Sequence, residues 1–276
     1  MNARALPARL SPAAATTLRF SLLDLVRGRW LPMLLAIALI AAGAGGFGGQ
    51  LGLAEQSRIA VSFAAPLARV LAVLVVTVLI AAALSREAAD RSRQIALAAA
   101  LSRSGWILAK WASFVVMAVA TALACGLTLL LLASSGMLPA EPTHATTAAA
   151  ILAWTASLAL ELAIVASIAT AVSLSIGQVA PSILATLAVY CASRVIGVIL
   201  LLSAHAPLGR EHAAATPLDW LLQLLGLLLP RLDGFARTDW LAGAPLDAFA
   251  PQLLQAGLYC ALMLAVSIFD FSRQEL

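Results

Sequence analysis

Apolar positions in this chain gather into long unbroken runs. They do not recur at the spacing of a surface helix or a half-buried strand. Six runs reach the roughly 20 residues that a helix needs to cross the hydrocarbon core of a bilayer. They cover residues 31–49, 60–84, 111–133, 149–176, 179–203 and 250–269. A seventh, Trp220 to Leu229, is only 10 residues long and reads as lying in or dipping into the interface. The pattern predicts an all-α polytopic membrane protein: one transmembrane domain over residues 1–276, with six transmembrane helices.

The polar stretches have patterns of their own. Before the first run, Ser11 is placed to cap a helix and Pro12 suits its first turn. Leu18, Leu22, Leu25 and Trp30 fall near one face of that helix, with Arg19, Asp24 and Arg27 on the other sides, as in an amphipathic interfacial helix. Between the second and third runs, Ser85 to Lys110 is polar in its first half and apolar in its second. It breaks at Ser102-Arg103-Ser104-Gly105, so a short helix, a turn and a return into the membrane are expected. By composition alone, that helix docks a partner protein or is a charged loop that only fixes topology. The five residues from Gly177 to Pro181 make the fourth and fifth spans a tight antiparallel pair. The long link from Ala204 to Phe249 holds Pro207, Pro217, Pro230 and Pro245 and predicts an outer cap of short helices.

Charge orients the spans. Six crossings put both termini on one side. Arg4, Arg9, Arg19, Arg27, Arg29, Arg86, Arg91, Arg93, Arg103, Lys110 and Arg273 give that side 11 basic residues, against four (Arg58, Arg210, Arg231, Arg237) on the other. The richer side is expected to be cytoplasmic. Trp30, Trp106 and Trp111 then fall near the inner interface, and Trp154, Trp220 and Trp240 near the outer one, as an aromatic belt. A cleaved signal peptide does not fit, because no apolar core follows Arg4 and Arg9 until Leu31. Composition agrees: 62% hydrophobic and 11% charged, against roughly 45–50% and 25% in soluble domains, excludes a soluble enzyme and a disordered chain. A net charge of +4, thinly spread, gives no nucleic-acid surface.

Three charges lie inside spans: Arg69, Glu161 and Arg194. Such groups pair or face water, because a lone charge at mid-bilayer costs several kcal/mol. Glu161 and Arg194 lie about 15 residues, or roughly 22 Å, from the turn that joins their spans, so they are expected to pair. With Arg69 at much the same level, one acid faces two bases, a positive surplus suited to an anionic group. Gly45/Gly49 and Gly48/Gly52 give two G-x-x-x-G spacings in the first span. They fit a closely packed helix interface, and with Ala185, Ala188, Ala192 and Gly197 of the fifth they suggest a seam between two copies. Cys125, Cys191 and Cys260 sit in apolar runs, and neither a metal site nor a disulfide is expected. The sequence has no G-x-x-x-x-G-K-[ST] phosphate loop and no H-E-x-x-H motif, and no catalytic or cofactor-binding residue is assigned.

Several strings together resemble the permease subunits of ABC-2 type transporters over nearly the full chain. They are Arg86-Glu87 through Asp90, Arg91 and Arg93 to Leu101-Ser102-Arg103, then Leu108-Ala109-Lys110, Pro230 with Asp233 and Phe235, Leu258-Tyr259, and Ile268 to Arg273. A departure is Ala88-Ala89-Asp90, where the family carries more glutamates and a glycine. The resemblance implies an N-terminal amphipathic elbow helix and a cytoplasmic coupling helix between spans two and three. It also implies a bacterial inner-membrane location and export of a solute. The coupling contacts would fall on Arg86, Glu87, Asp90, Arg91, Arg93, Leu101, Ser102 and Arg103. The implied partners are two copies of a cytoplasmic ATPase, which would bind ATP and magnesium, and a second permease, identical or paralogous, in membrane lipid. Two other readings remain at this stage: an ion-coupled carrier using Glu161, and a membrane scaffold or assembly factor that transports nothing.

Overall fold

The computed structural model describes residues 16, 19–21, 23, 29–51, 56–89, 102–134, 148–205, 226, 229–242 and 249–273. Six helices carry these residues: α1 (Trp30–Leu51), α2 (Gln56–Ala89), α3 (Arg103–Ser134), α4 (Ala148–Ile176), α5 (Val179–His205) and α6 (Phe249–Arg273). All six are long and apolar enough to cross a membrane. Two 3-10 turns, Leu232–Gly234 and Thr238–Ala242, lie between α5 and α6, and no strand occurs among the described residues. Most of the expected elbow helix falls outside the described residues, as do both chain ends. So do Gly52, Asp90, Arg91, Arg93 and Leu101, and the short apolar run except for its residues 226 and 229.

The fourth helix is the axis of the bundle. It packs against α2, α3, α5, α6 and the second 3-10 turn. In its most apolar window 67% of residues are buried, against 22–44% in the other five helices. Those five put Leu35, Val70, Leu123, Leu184 and Leu258 outward, where lipid covers apolar side chains at no cost. Gly177 closes α4 with φ 73, a left-handed position that glycine takes without strain, and its N–H bonds to Ser173 O at 3.1 Å.

One end of the bundle, here the lower end, holds Ile176 and Val179. It is tied by side chains from four helices. Lys110 on α3 pairs with Glu87 on α2. Trp106 on α3 stacks on Phe271 of α6 with ring centroids 5.5 Å apart. Trp111 Nε1 on α3 donates to Ser167 Oγ of α4 at 2.8 Å, and Ser175 on α4 donates to Asp270 of α6 at 2.8 Å. Ser102, expected at a partner contact, caps α3 by accepting the Gly105 N–H at 3.2 Å.

Among the described residues the tryptophans turn inward: Trp106, Trp154 and Trp240 are buried, and Trp30 donates to Thr121 inside the bundle, while Trp220 lies outside the described residues. Indole N–H groups are drawn inward because the bundle interior offers acceptors and the lipid offers none. The small-residue face of α1 packs within this chain at Gly45 and Gly48. Gly45, Gly48 and Gly49 are buried within this chain. A side chain at Gly45 would meet Leu132 at 2.5 Å and Ala60 O at 3.1 Å, and one at Gly48 would meet the Phe63 ring at 3.0 Å. The close approach that glycine permits is used between α1 and α2.

Gly45→Leu is therefore expected to destabilise the single chain by about 1–3 kcal/mol through overpacking. The check is thermal unfolding in detergent beside a mass measurement of the particle. A variant that keeps its melting temperature but loses self-association would return Gly45 to a seam between copies.

Candidate functional site

Residues 229–242 leave the helical pattern and descend among the upper ends of the spans. The turn Leu232–Gly234 packs on α5, and Thr238–Ala242 packs on α2 and α4. The Ala236 N–H donates to Ser157 Oγ at 3.0 Å. Ser157 lies about 14 Å below the Ala148 end of α4, a helix roughly 43 Å long, so the segment enters the central ~30 Å that hydrocarbon occupies.

Irregular backbone persists at that depth only if protein groups satisfy its N–H and C=O groups. The spanning helices supply them. Arg194 Nη1 donates to Leu232 O at 2.6 Å, and Gln252 Nε2 donates to Gly234 O at 2.8 Å. Arg69 Nη1 and Trp154 Nε1 both donate to Ala236 O, at 3.2 and 3.1 Å. Gln255 Nε2 reaches Arg231 O at 3.3 Å. Ser157 passes its own proton to Gln252 Oε1 at 3.0 Å, which fixes the amide. Leu232, Phe235 and Ala236 are fully buried. Ala236 has φ 47, a strained conformation for a residue with a Cβ, and three hydrogen bonds hold it there.

The buried charges and this segment form one site. Glu161 is fully buried at the middle of α4. Its Oε1 accepts from Arg194 Nη1 and from Tyr190 Oη, each at 2.9 Å. The same Arg194 nitrogen therefore holds both the acid and the turn. Asp233 brings a second acid. Its carboxylate lies directly on the backbone of α5 at Gly197, one turn above Arg194, where any side chain would overlap it. Glu161 thus pairs with Arg194, and Asp233 adds a second acid beside the turn. Above the segment opens a cleft of about 210 Å³, lined by Arg231, Asp233, Arg237 and Gln255 over Phe235.

The candidates that the sequence separated into intramembrane charges (Arg69, Glu161, Arg194) and an outer motif (Pro230, Asp233, Phe235) thus meet. Gly197, assigned to a seam, belongs here too. Trp154, Ser157, Tyr190, Ala236 and Gln252 were not anticipated. A signal existed for most of them: Trp154, Ser157 and Glu161 recur at i, i+3 and i+7, and Tyr190 with Arg194 at i and i+4, each on one helical face. Of the coupling candidates, the described ones lie at the lower end. Arg86 is exposed, Glu87 pairs with Lys110, and Arg103 begins α3. No family model matches the chain, and no curated protein does.

Removing one partner of a buried ion pair strands the other, so Glu161→Ala is expected to cost about 3–5 kcal/mol. Arg69→Ala should cost less, because Trp154 still serves Ala236 O. Denaturant unfolding of both variants, with a Glu161/Arg194 double-mutant cycle, measures this. Equal costs, or a coupling near zero, would dissolve the site as drawn. Ala236→Gly should keep full stability, whereas Ala236→Val should lose it, since a β-branched residue resists positive φ.

Proposed function

We propose that this chain is the membrane-spanning permease subunit of an ABC-2 type transporter. It exports a solute across the bacterial inner membrane with ATP hydrolysed by a separate subunit. The observation that carries the reading is mechanical. The lower end is braced across α2, α3, α4 and α6 by Glu87–Lys110, Trp106–Phe271, Trp111–Ser167 and Ser175–Asp270. The upper half is closed by a segment held through individual side-chain bonds to its carbonyls. A push on the α2–α3 hairpin would move the braced end as a unit, and strain would concentrate on the segment's hydrogen bonds. That division suits a pathway opened from the cytoplasmic face by a nucleotide-driven partner. Residues 86–104 are the place for that partner to engage, with Arg86 exposed at the end of α2. The basic bias of the same end supports its cytoplasmic placement. A second copy would pack on surfaces other than Gly45 and Gly48, which the chain itself covers.

The experiment co-expresses the chain with a candidate ATPase subunit from its source organism and purifies the complex in lipid. Replacing Arg86, Arg91, Arg93 and Arg103 by alanine should weaken the complex and uncouple its ATPase activity from transport by tenfold or more. Intact assembly and coupling in that variant would remove the assignment.

One observation favours a second reading, an ion-coupled carrier: Glu161 Oε2 is buried and has no hydrogen-bond partner. Transport by the chain reconstituted alone, driven by an ion gradient and lost in Glu161→Gln, would select that reading instead.

A further inference from the structure

Most hydroxyls in these spans satisfy themselves. Ser113, Thr121 and Thr128 on α3 and Ser267 on α6 donate to carbonyls of their own helix. Five others do not: the oxygens of Thr77 and Ser85 on α2, Ser173 on α4, and Ser182 and Ser193 on α5 are buried without a partner, and all but Ser85 belong to fully buried residues. Arg69 Nε on α2 and Glu161 Oε2 on α4 share that condition. Among the described residues of the six spans, buried polar atoms without partners occur only on α2, α4 and α5. These are the three helices that meet along the buried face of α5.

That face has a regular polar composition. Ser182, Thr186, Tyr190 and Ser193 follow one another at intervals of four, four and three, so they line one side of the helix. All are buried, and α5 packs on α2, α4 and the re-entrant turn, so the stripe faces those neighbours. Measured from Val179, they stand about 5, 11, 17 and 21 Å along the axis. Successive residues rise by about 6, 6 and 4.5 Å along the axis, spans that one or two waters at ~2.8 Å contacts bridge. Thr186 spends its proton on Ser182 O at 2.8 Å and keeps its lone pairs for an incoming donor. Tyr190 delivers the stripe to Glu161. Leaving several buried hydroxyls unbonded would cost about 1–3 kcal/mol each, more than the ordering of bridging waters.

We propose that α2, α4 and α5 enclose a narrow hydrated lane, running from the Gly177 end of the bundle along Ser182, Thr186, Tyr190 and Ser193 to Glu161, that admits water and hydrated protons. It ends at the Arg194–Glu161 pair, above which the buried turn at Leu232 closes the bundle. Its ligand is small by construction, because short hydroxyl side chains on packed helices leave no room for a bulky solute. Water reaching Glu161 would lower the cost of parting it from Arg194, so the lock on the re-entrant segment becomes releasable. This inference is independent of which energy source drives transport.

The chain holds only two tyrosines, and they make an internal comparison. Tyr190 is 7% exposed and Tyr259 is 9% exposed. Radiolytic hydroxyl-radical footprinting of the intact protein in lipid labels side chains beside bound water. Tyr190 should be oxidised at least fivefold faster than Tyr259, and equal rates would overturn the lane. Sidedness is read with silver ion in a chain whose three cysteines are replaced by alanine. Thr186→Cys and Ser193→Cys should react from the same side as Gln178→Cys in the α4–α5 turn, at least tenfold faster than Leu184→Cys on the opposite face. Reaction no faster than at Leu184→Cys, or only from the side opposite Gln178→Cys, would overturn it. Gln178→Cys reports orientation by itself, so an inverted topology is recognised separately from a missing lane.

Discussion

A peptide backbone that is neither helix nor sheet cannot sit in hydrocarbon unless protein groups take up its hydrogen bonds. That constraint organises this molecule. The turn from Arg231 to Ala236 is non-helical and lies at membrane depth, and donors from α2, α4, α5 and α6 converge on its carbonyls. Two donors are arginines, which themselves need counter-charges in the bilayer. Glu161 supplies one to Arg194. The buried charges and the irregular backbone therefore solve each other's solvation problem. Removing either would leave the other without compensation.

The two halves of the bundle are stabilised differently. Toward the Gly177 end, ties connect one helix to another, and several are aromatic or apolar in character. Toward the other end, besides the direct Glu161–Arg194, Glu161–Tyr190 and Ser157–Gln252 bonds, the helices are joined through a short segment that none of them contains. Helix-to-helix ties resist relative sliding, whereas ties through a separable segment vanish together when it moves. Motion, if driven from the braced end, has a defined place to be expressed.

Much of the fold could be read from the residues. Six long apolar runs set six helices, and Gly177 set the turn between α4 and α5. Helix ends extended further than the apolar runs, as at Gln56–Ala89, because charged residues near the interface continue a helix that lipid no longer demands. The site was legible only in pieces. Hydropathy marks Glu161 and Arg194 as anomalies but says nothing of a loop returning to meet them. Trp154 looked like a belt residue because its depth and its neighbours are the same whether its N–H meets a headgroup or a carbonyl. Ala236 carried no signal, since alanine at positive φ is imposed by tertiary bonds rather than by local preference. The glycines of α1 fit self-association and intrachain packing equally well, and only the observed neighbours distinguish them.

The brevity of the link between α4 and α5 bears on how the protein enters the membrane. The fifth span is the least hydrophobic of the six, with a window hydropathy of 1.6, and it carries Arg194 near its middle. An arginine at the centre of a lone inserting helix costs about 2.5–3.5 kcal/mol. Only Gly177 and Gln178 separate this helix from α4, and Glu161 waits at the same depth. The two spans can then partition into lipid as a hairpin whose charges have already cancelled. Biogenesis, in this view, couples the two segments before the rest of the bundle closes round them, and the ion pair serves insertion before it serves anything else.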